Sequence, residues 1–234
     1  MADNKGIFYE KTLNDNLKKY KIQSVQFQPA GSDSNAPDAE LLYKDQKYKV
    51  EVKLDMNVDF GQGSLDYDVA EKKWILGGGN TESAKQMRQF LTAMKVPDLV
   101  NSKWGPKGPP RKFTVPLNKF KQEDVDHDYR KFTNEFINIP QDAVSNYYAS
   151  KQTYYIQIGA GYGLYHMTKD PAKLGVPAFK PQLKLRIRLK RGGSFPIYNY
   201  RFSTAIVAVT GSLSKSSGDL DDIEYLKTLR GRSQ

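Results

Sequence analysis

Residues 47–54, Lys-Tyr-Lys-Val-Glu-Val-Lys-Leu, alternate strictly between apolar and charged side chains. In an extended chain Tyr48, Val50, Val52 and Leu54 share one face, and Lys47, Lys49, Glu51 and Lys53 the other. That period of two marks a half-buried strand. Residues 38–43 alternate as well, with Ala39, Leu41 and Tyr43 on one face and Asp38, Glu40 and Leu42 on the other. A turn at or around Asp45-Gln46 joins the two runs into a hairpin. The expected register sets Tyr43 opposite Tyr48, Glu40 opposite Glu51 and Asp38 opposite Lys53. It places both apolar sets on one side, and a slip by one residue would turn one strand over.

In that register Asp38, Glu40, Glu51 and Lys53 project from the same surface. Asp38 and Glu51 are diagonal neighbours, and directly opposed positions lie about 4.5–5.5 Å apart at Cβ. Two acids this close repel unless a cation sits between them. Oxygen ligands without histidine or cysteine favour a hard ion, Mg²⁺ or Mn²⁺, and the Val52 carbonyl could add a further oxygen. An ammonium at Lys53 can position a nucleophile and stabilise negative charge building on a phosphate. The chain holds other acid-x-Lys triplets at 45–47 and 71–73, but neither lies in an alternating strand with an acid on its partner. The competing reading is an ordinary amphipathic hairpin whose surface ion pairs contribute about 0–1 kcal/mol each.

Composition sets the partner class. Lys and Arg total 36 against 26 Asp and Glu, a formal net charge of +10. Such a balance favours a polyanion: DNA, RNA or an anionic membrane. No strong basic amphipathic helix supports the membrane. The chain has no cysteine and two histidines, His127 and His166, which leaves little for a thiolate zinc site or a histidine-based triad. No apolar run is long enough for a membrane helix, and the start lacks a secretory pattern, so an intracellular protein is expected.

Along the chain, 7–20 has helical spacing at Tyr9, Leu13, Leu17 and Tyr20. Residues 22–28 read as a strand, and 29–37 as a loop. The acidic, glycine-containing stretch 57–68 reads as a loop or short turn. Helices are expected over 82–95 and 142–151, strands over 154–158 and beyond, and a capped helix at the C-terminal end. Residues 96–122, rich in proline and cations, read as an extended basic segment. "GAGYGLYH" has neither the spacing nor the ending of a phosphate loop and reads as a hairpin turn. His127 sits among acids, which reads as a solvated acidic loop, and His166 reads as structural.

Two stretches supply cations for a nucleic-acid backbone. Residues 183–190 alternate apolar positions with Lys184, Arg186, Arg188 and Lys190, a row of like charges that an anion would relieve. The other stretch holds Lys103, Lys107, Arg111 and Lys112. The competing readings are a solvated edge strand and a plain surface loop.

Pro37-Asp38, twelve residues, then Glu51-Val52-Lys53 resembles the motif of the PD-(D/E)xK nuclease superfamily, whose fold is restriction-endonuclease-like. The core order of that family is helix, three strands, helix, strand, for which this chain offers 7–20, 22–28, 38–43, 47–54, 82–95 and 154–158. The resemblance implies metal binding by Asp38 and Glu51 and support of the nucleophile by Lys53. It makes Glu10, on the first helix, and Gln62, after the motif strand, further site candidates. The expected fold is α/β, a mixed sheet flanked by helices, in a single domain over 1–234. Residues 1–95 and 152–160 would supply the core, 96–150 an insert with a basic loop, and 161–234 a β-rich part. The expected function is a Mg²⁺-dependent DNA endonuclease, with a dimeric, sequence-specific restriction-type enzyme as the leading subtype. A phage or repair nuclease is the next. The alternative class is a non-catalytic nucleic-acid-binding protein.

Overall fold

The structure, a computed structural model, describes residues 5–22, 37–191 and 199–233. The strand expected over 22–28 therefore lies outside the described residues except for Ile22, whose carbonyl accepts from Leu42 N at 2.5 Å. The chain forms two compact units, Met1–Val58 with Gln141–Gln182 and Ala208–Gln234, and Asp59–Pro140 with Leu183–Val207.

The first unit is built on a four-stranded mixed sheet. Helix α1 (Lys5–Lys19) precedes strands β1 (Ala39–Tyr43) and β2 (Gln46–Lys53). After the second unit's first segment come helix α6 (Ala143–Ser150) and strands β6 (Thr153–Ile158) and β7 (Gly163–His166). The strand order is β1-β2-β6-β7, with β2 and β6 parallel and the outer pairs antiparallel. Leu13 and Leu17 of α1 pack with Ala39, Leu41, Val50, Val52 and Tyr155, together with Leu226 and Leu229 of helix α7 (Ile223–Ser233). Tyr43 and Tyr48 are buried, as their alternation implies. "GAGYG" is the β6–β7 turn, with Ala160 and Gly161 both at positive φ.

The hairpin keeps its expected faces but not its expected register. Ala39 pairs with Val50, Glu40 with Lys49, Leu41 with Tyr48 and Tyr43 with Gln46. The turn is Lys44-Asp45, with φ of 49° and 59°, the left-handed conformation of a two-residue primed turn. The turn therefore sits one residue earlier than the sequence suggests, and every pairing moves by two. An even shift preserves the apolar face, which is why alternation alone could not detect it.

The second unit carries a five-stranded sheet of order β4-β3-β9-β8-β5. Its strands are β3 (Gly61–Asp68), β4 (Lys73–Leu76), β5 (Glu135–Asn138), β8 (Leu183–Arg191) and β9 (Tyr200–Ala208). Its helices are α2 (Glu82–Ala93), α3 (Val96–Trp104), α4 (Arg111–Thr114) and α5 (Gln122–Lys131). Trp74, Trp104, Phe132 and Phe202 form its aromatic centre, with ring centroids 4.9–5.8 Å apart.

Four local expectations are corrected here. Residues 61–68 form a strand rather than a loop, because Leu65 and Tyr67 have an apolar core to face. Residues 96–122 are largely helical: Pro97 lies in the first turn of α3, where its missing N–H costs nothing. The fully buried Asp128 accepts from Arg111 N, Lys112 N and the Tyr200 hydroxyl, and so caps α4. His127 lies on α5, 3.1 Å from Asp128 Oδ1, not in an acidic loop. The helix at 82–95 belongs to the second unit, and in the first unit the helix that leads into the parallel strand is α6.

The turn yields a stability test. Lys44 and Asp45 each hold a conformation that costs an L-residue about 1 kcal/mol or more. Replacing the pair by Asn-Gly is expected to raise unfolding stability in urea by roughly 0.5–1 kcal/mol, allowing for glycine's greater unfolded entropy. A loss of stability would contradict the turn assignment.

Candidate active site

Asp38 lies one residue before β1, where the observed register would place it opposite Glu51. Its Oδ2 accepts the backbone N–H of Val52 at 2.9 Å, so the carboxylate takes the place of a backbone acceptor at the end of the ladder. The Glu51 charge acts on the Asp38 carboxyl, so the two acids are near neighbours at this end of the hairpin. On the same strand the Lys53 ammonium bonds Glu51 Oε1. The Lys53 carbonyl accepts from Gly159 N on the β6 side. Strand backbone alternates, so the Val52 carbonyl opens toward the β1 side, where its N–H meets Asp38.

Two residues that the sequence did not single out complete the arrangement. Asn14, fully buried on α1, donates through Nδ2 to the Asp38 carbonyl at 3.0 Å and the Glu10 carbonyl at 2.8 Å. It ties the first helix to the start of the hairpin. Tyr148, buried on α6, donates its hydroxyl to Glu51 Oε1 at 2.8 Å. A polar Asn14 beside Leu13 and Leu17 was the only signal for the first. The second had none, because 97 residues separate Tyr148 from Glu51.

The electrostatics follow from crowding. Burial and the Glu51 charge push the Asp38 carboxyl up to about 7, against the pull of Lys53 and the Val52 N–H, and Glu10 adds to the rise. Burial also raises Glu10, with Lys53 opposing and Glu51 adding. Burial alone would lower Lys53, but Glu51, Asp38 and Glu10 outweigh it and hold the ammonium above its ordinary value. Lys53 is therefore a cation and hydrogen-bond donor at neutral pH, not a general base.

The donor set suits a hard cation. Asp38 Oδ1 and Glu51 Oε2 take no hydrogen bond among the described residues, the Val52 carbonyl is nearby, and no nitrogen or sulfur ligand competes. No group of three His, Cys, Asp or Glu side chains forms a metal cage among the described residues, so protein ligation would rest on two carboxylates and a carbonyl. Mg²⁺, which keeps several waters, matches such a sparse set. Glu10 is near enough to perturb Asp38 and Lys53 electrostatically. Gln62 lies on β3 in the second unit, where its amide donates to Asp59 Oδ2 at 2.7 Å.

The expected DNA-binding cations divide into two sets. Lys107 bonds Glu135 and the Lys131 carbonyl, Arg111 lies 3.7 Å from Asp124, and Lys112 bonds the Tyr200 carbonyl. Arg186 and Arg188 share Asp59, at 2.7 and 2.8 Å. Lys103, Lys184 and Lys190 make no ion pair among the described residues. No described helix is long and apolar enough to cross a membrane.

No protein-family model matches the chain, and no curated protein matches it. Among solved structures, HhaI endonuclease in complex with DNA is similar over 96% of this chain and 95% of that one, at 13% identity and a TM-score of 0.45. A likeness of that strength does not place the chain in a family.

The raised carboxyls predict a pH dependence. A folded carboxyl near 7 against about 4 unfolded binds more protons in the folded state between those values, so stability falls as pH rises from about 4 to about 7. Glu10 acts in the same direction. Lys53, raised rather than lowered, keeps its contribution until the pH exceeds about 10. Urea unfolding in EDTA should show this decline in the wild type and a much flatter profile in Asp38→Asn. An unchanged slope in the variant would refute the assignment.

Proposed function

We propose that the protein is a Mg²⁺-dependent endonuclease that hydrolyses DNA phosphodiester bonds, with Mn²⁺ able to substitute. The observation that carries this reading is Asp38, held by Val52 N–H against Glu51, with Lys53 bonded to Glu51. Asp38, Glu51 and the Val52 carbonyl would hold the ion. A bound divalent cation supplies Lewis-acid polarisation of the phosphate and charge stabilisation during attack. Lys53, kept protonated, orients the attacking water and offsets charge on the non-bridging oxygens as a new P–O bond forms and the old one breaks. Glu10, whose charge acts on Asp38 and Lys53, is assigned a supporting part.

Lys103, Lys184 and Lys190 are the cations assigned most directly to the DNA backbone, and the remaining cations of both stretches join them where their internal bonds allow. The leading subtype remains a homodimeric restriction-type enzyme, ahead of a phage or repair nuclease. The second reading is a non-catalytic nucleic-acid-binding protein, favoured by Lys103, Lys184 and Lys190, which make no ion pair among the described residues and could hold a phosphate backbone without any metal.

Plasmid cleavage separates the two. Nicking and linearisation are expected with Mg²⁺ or Mn²⁺ and not with EDTA, and Glu51→Ala and Lys53→Ala should each lower the rate about a hundredfold or more. Variants that cut as well as the wild type would remove the site assignment. Binding without cleavage in every divalent metal would support the non-catalytic protein.

A further inference from the structure

Glu51 Oε1 is occupied twice. It accepts the Tyr148 hydroxyl at 2.8 Å and also bonds the Lys53 ammonium. Tyr148 is 5% exposed, and its neighbours Val144 and Tyr147 on α6 are buried too, so packing fixes the ring. Across the hairpin Asp38 spends Oδ2 on the Val52 N–H. Each acid is left with one oxygen outside these bonds.

That count bears on metal choice. Ca²⁺ takes six to eight oxygens and readily uses carboxylates in bidentate fashion, whereas Mg²⁺ takes six in near-octahedral geometry, usually with one or two carboxylates and several waters. A glutamate with one oxygen already committed to two donors is a poor bidentate ligand. We infer that Tyr148 is a positioning residue that restricts Glu51 to ligation through one oxygen and thereby favours Mg²⁺ and Mn²⁺ over Ca²⁺. The inference rests on the metal site proposed above, and Tyr148 acts only through Glu51. Lys53 shares the restraint, but its ammonium sits on a flexible stem, while the tyrosine hydroxyl is carried by a rigid ring.

The test uses the full chain without DNA. Mn²⁺ binding is followed by the loss of free-ion paramagnetic signal, and Ca²⁺ is added as competitor. The wild type should bind Mn²⁺ with Ca²⁺ competing weakly. Tyr148→Phe, which removes only the hydroxyl, should shift the Ca²⁺-to-Mn²⁺ affinity ratio toward Ca²⁺ by about tenfold, the worth of one hydrogen bond. Tyr148→Leu provides a second variant should the first fold poorly, and should shift the ratio the same way. Folded variants with the wild-type ratio overturn the role of Tyr148 while leaving the metal site standing. A wild type that binds no Mn²⁺, or binds it equally well as Asp38→Asn and Glu51→Gln, overturns the metal site and this inference with it.

Discussion

The hydrogen bond from Val52 N–H to Asp38 is the contact on which the site depends. It extends the β1–β2 ladder by one step with a side chain in place of a backbone carbonyl. Asp38 is thereby held beside Glu51 instead of turning to water, and the Val52 carbonyl is brought to the same place. Asn14 fixes the Asp38 backbone from the helix side, and Tyr148 fixes Glu51 from α6. Two elements distant in sequence thus restrain the two carboxylates independently.

Such crowding works against folding. Three carboxyl groups and one ammonium share a partly buried space, and the single lysine cannot balance them all. Asp38 responds by holding its proton to about pH 7. Natural proteins concentrate unfavourable electrostatics at sites of action, where the same groups serve a ligand. The arginines of the second unit show the opposite solution, with Asp59 placed between Arg186 and Arg188 so that two neighbouring cations on β8 share a counter-ion.

Much of the local structure was legible. Period-two alternation identified both hairpin strands and their buried face, period 3.6 identified α1 and α2, and the helix expected over 142–151 matches α6, all within a few residues of their observed ends. The grouping of Asp38, Glu51 and Lys53 on one surface followed from alternation alone, since the side a residue faces depends only on the parity of its position. The exact pairing did not follow, because a shift of two residues leaves parity untouched and only the left-handed turn at Lys44-Asp45 decides it. The strands at 61–68, 73–76 and 135–138 were missed because they are short or mixed in composition and become strands only beside partners.

The sequence by itself determined which residues are strands' faces, where the acids and the lysine gather, and that the chain carries a large excess of positive charge. Tertiary structure alone decided that 59–140 and 183–207 form a unit of their own, which cations are committed to internal acceptors, and which buried groups hold the two carboxylates. The physical reason is range. Alternation and turn chemistry act between residues a few positions apart, whereas burial, ion pairing and the hydrogen bonds of Tyr148 and Asp59 join segments roughly 100 residues apart, whose meeting depends on the packing of the whole unit.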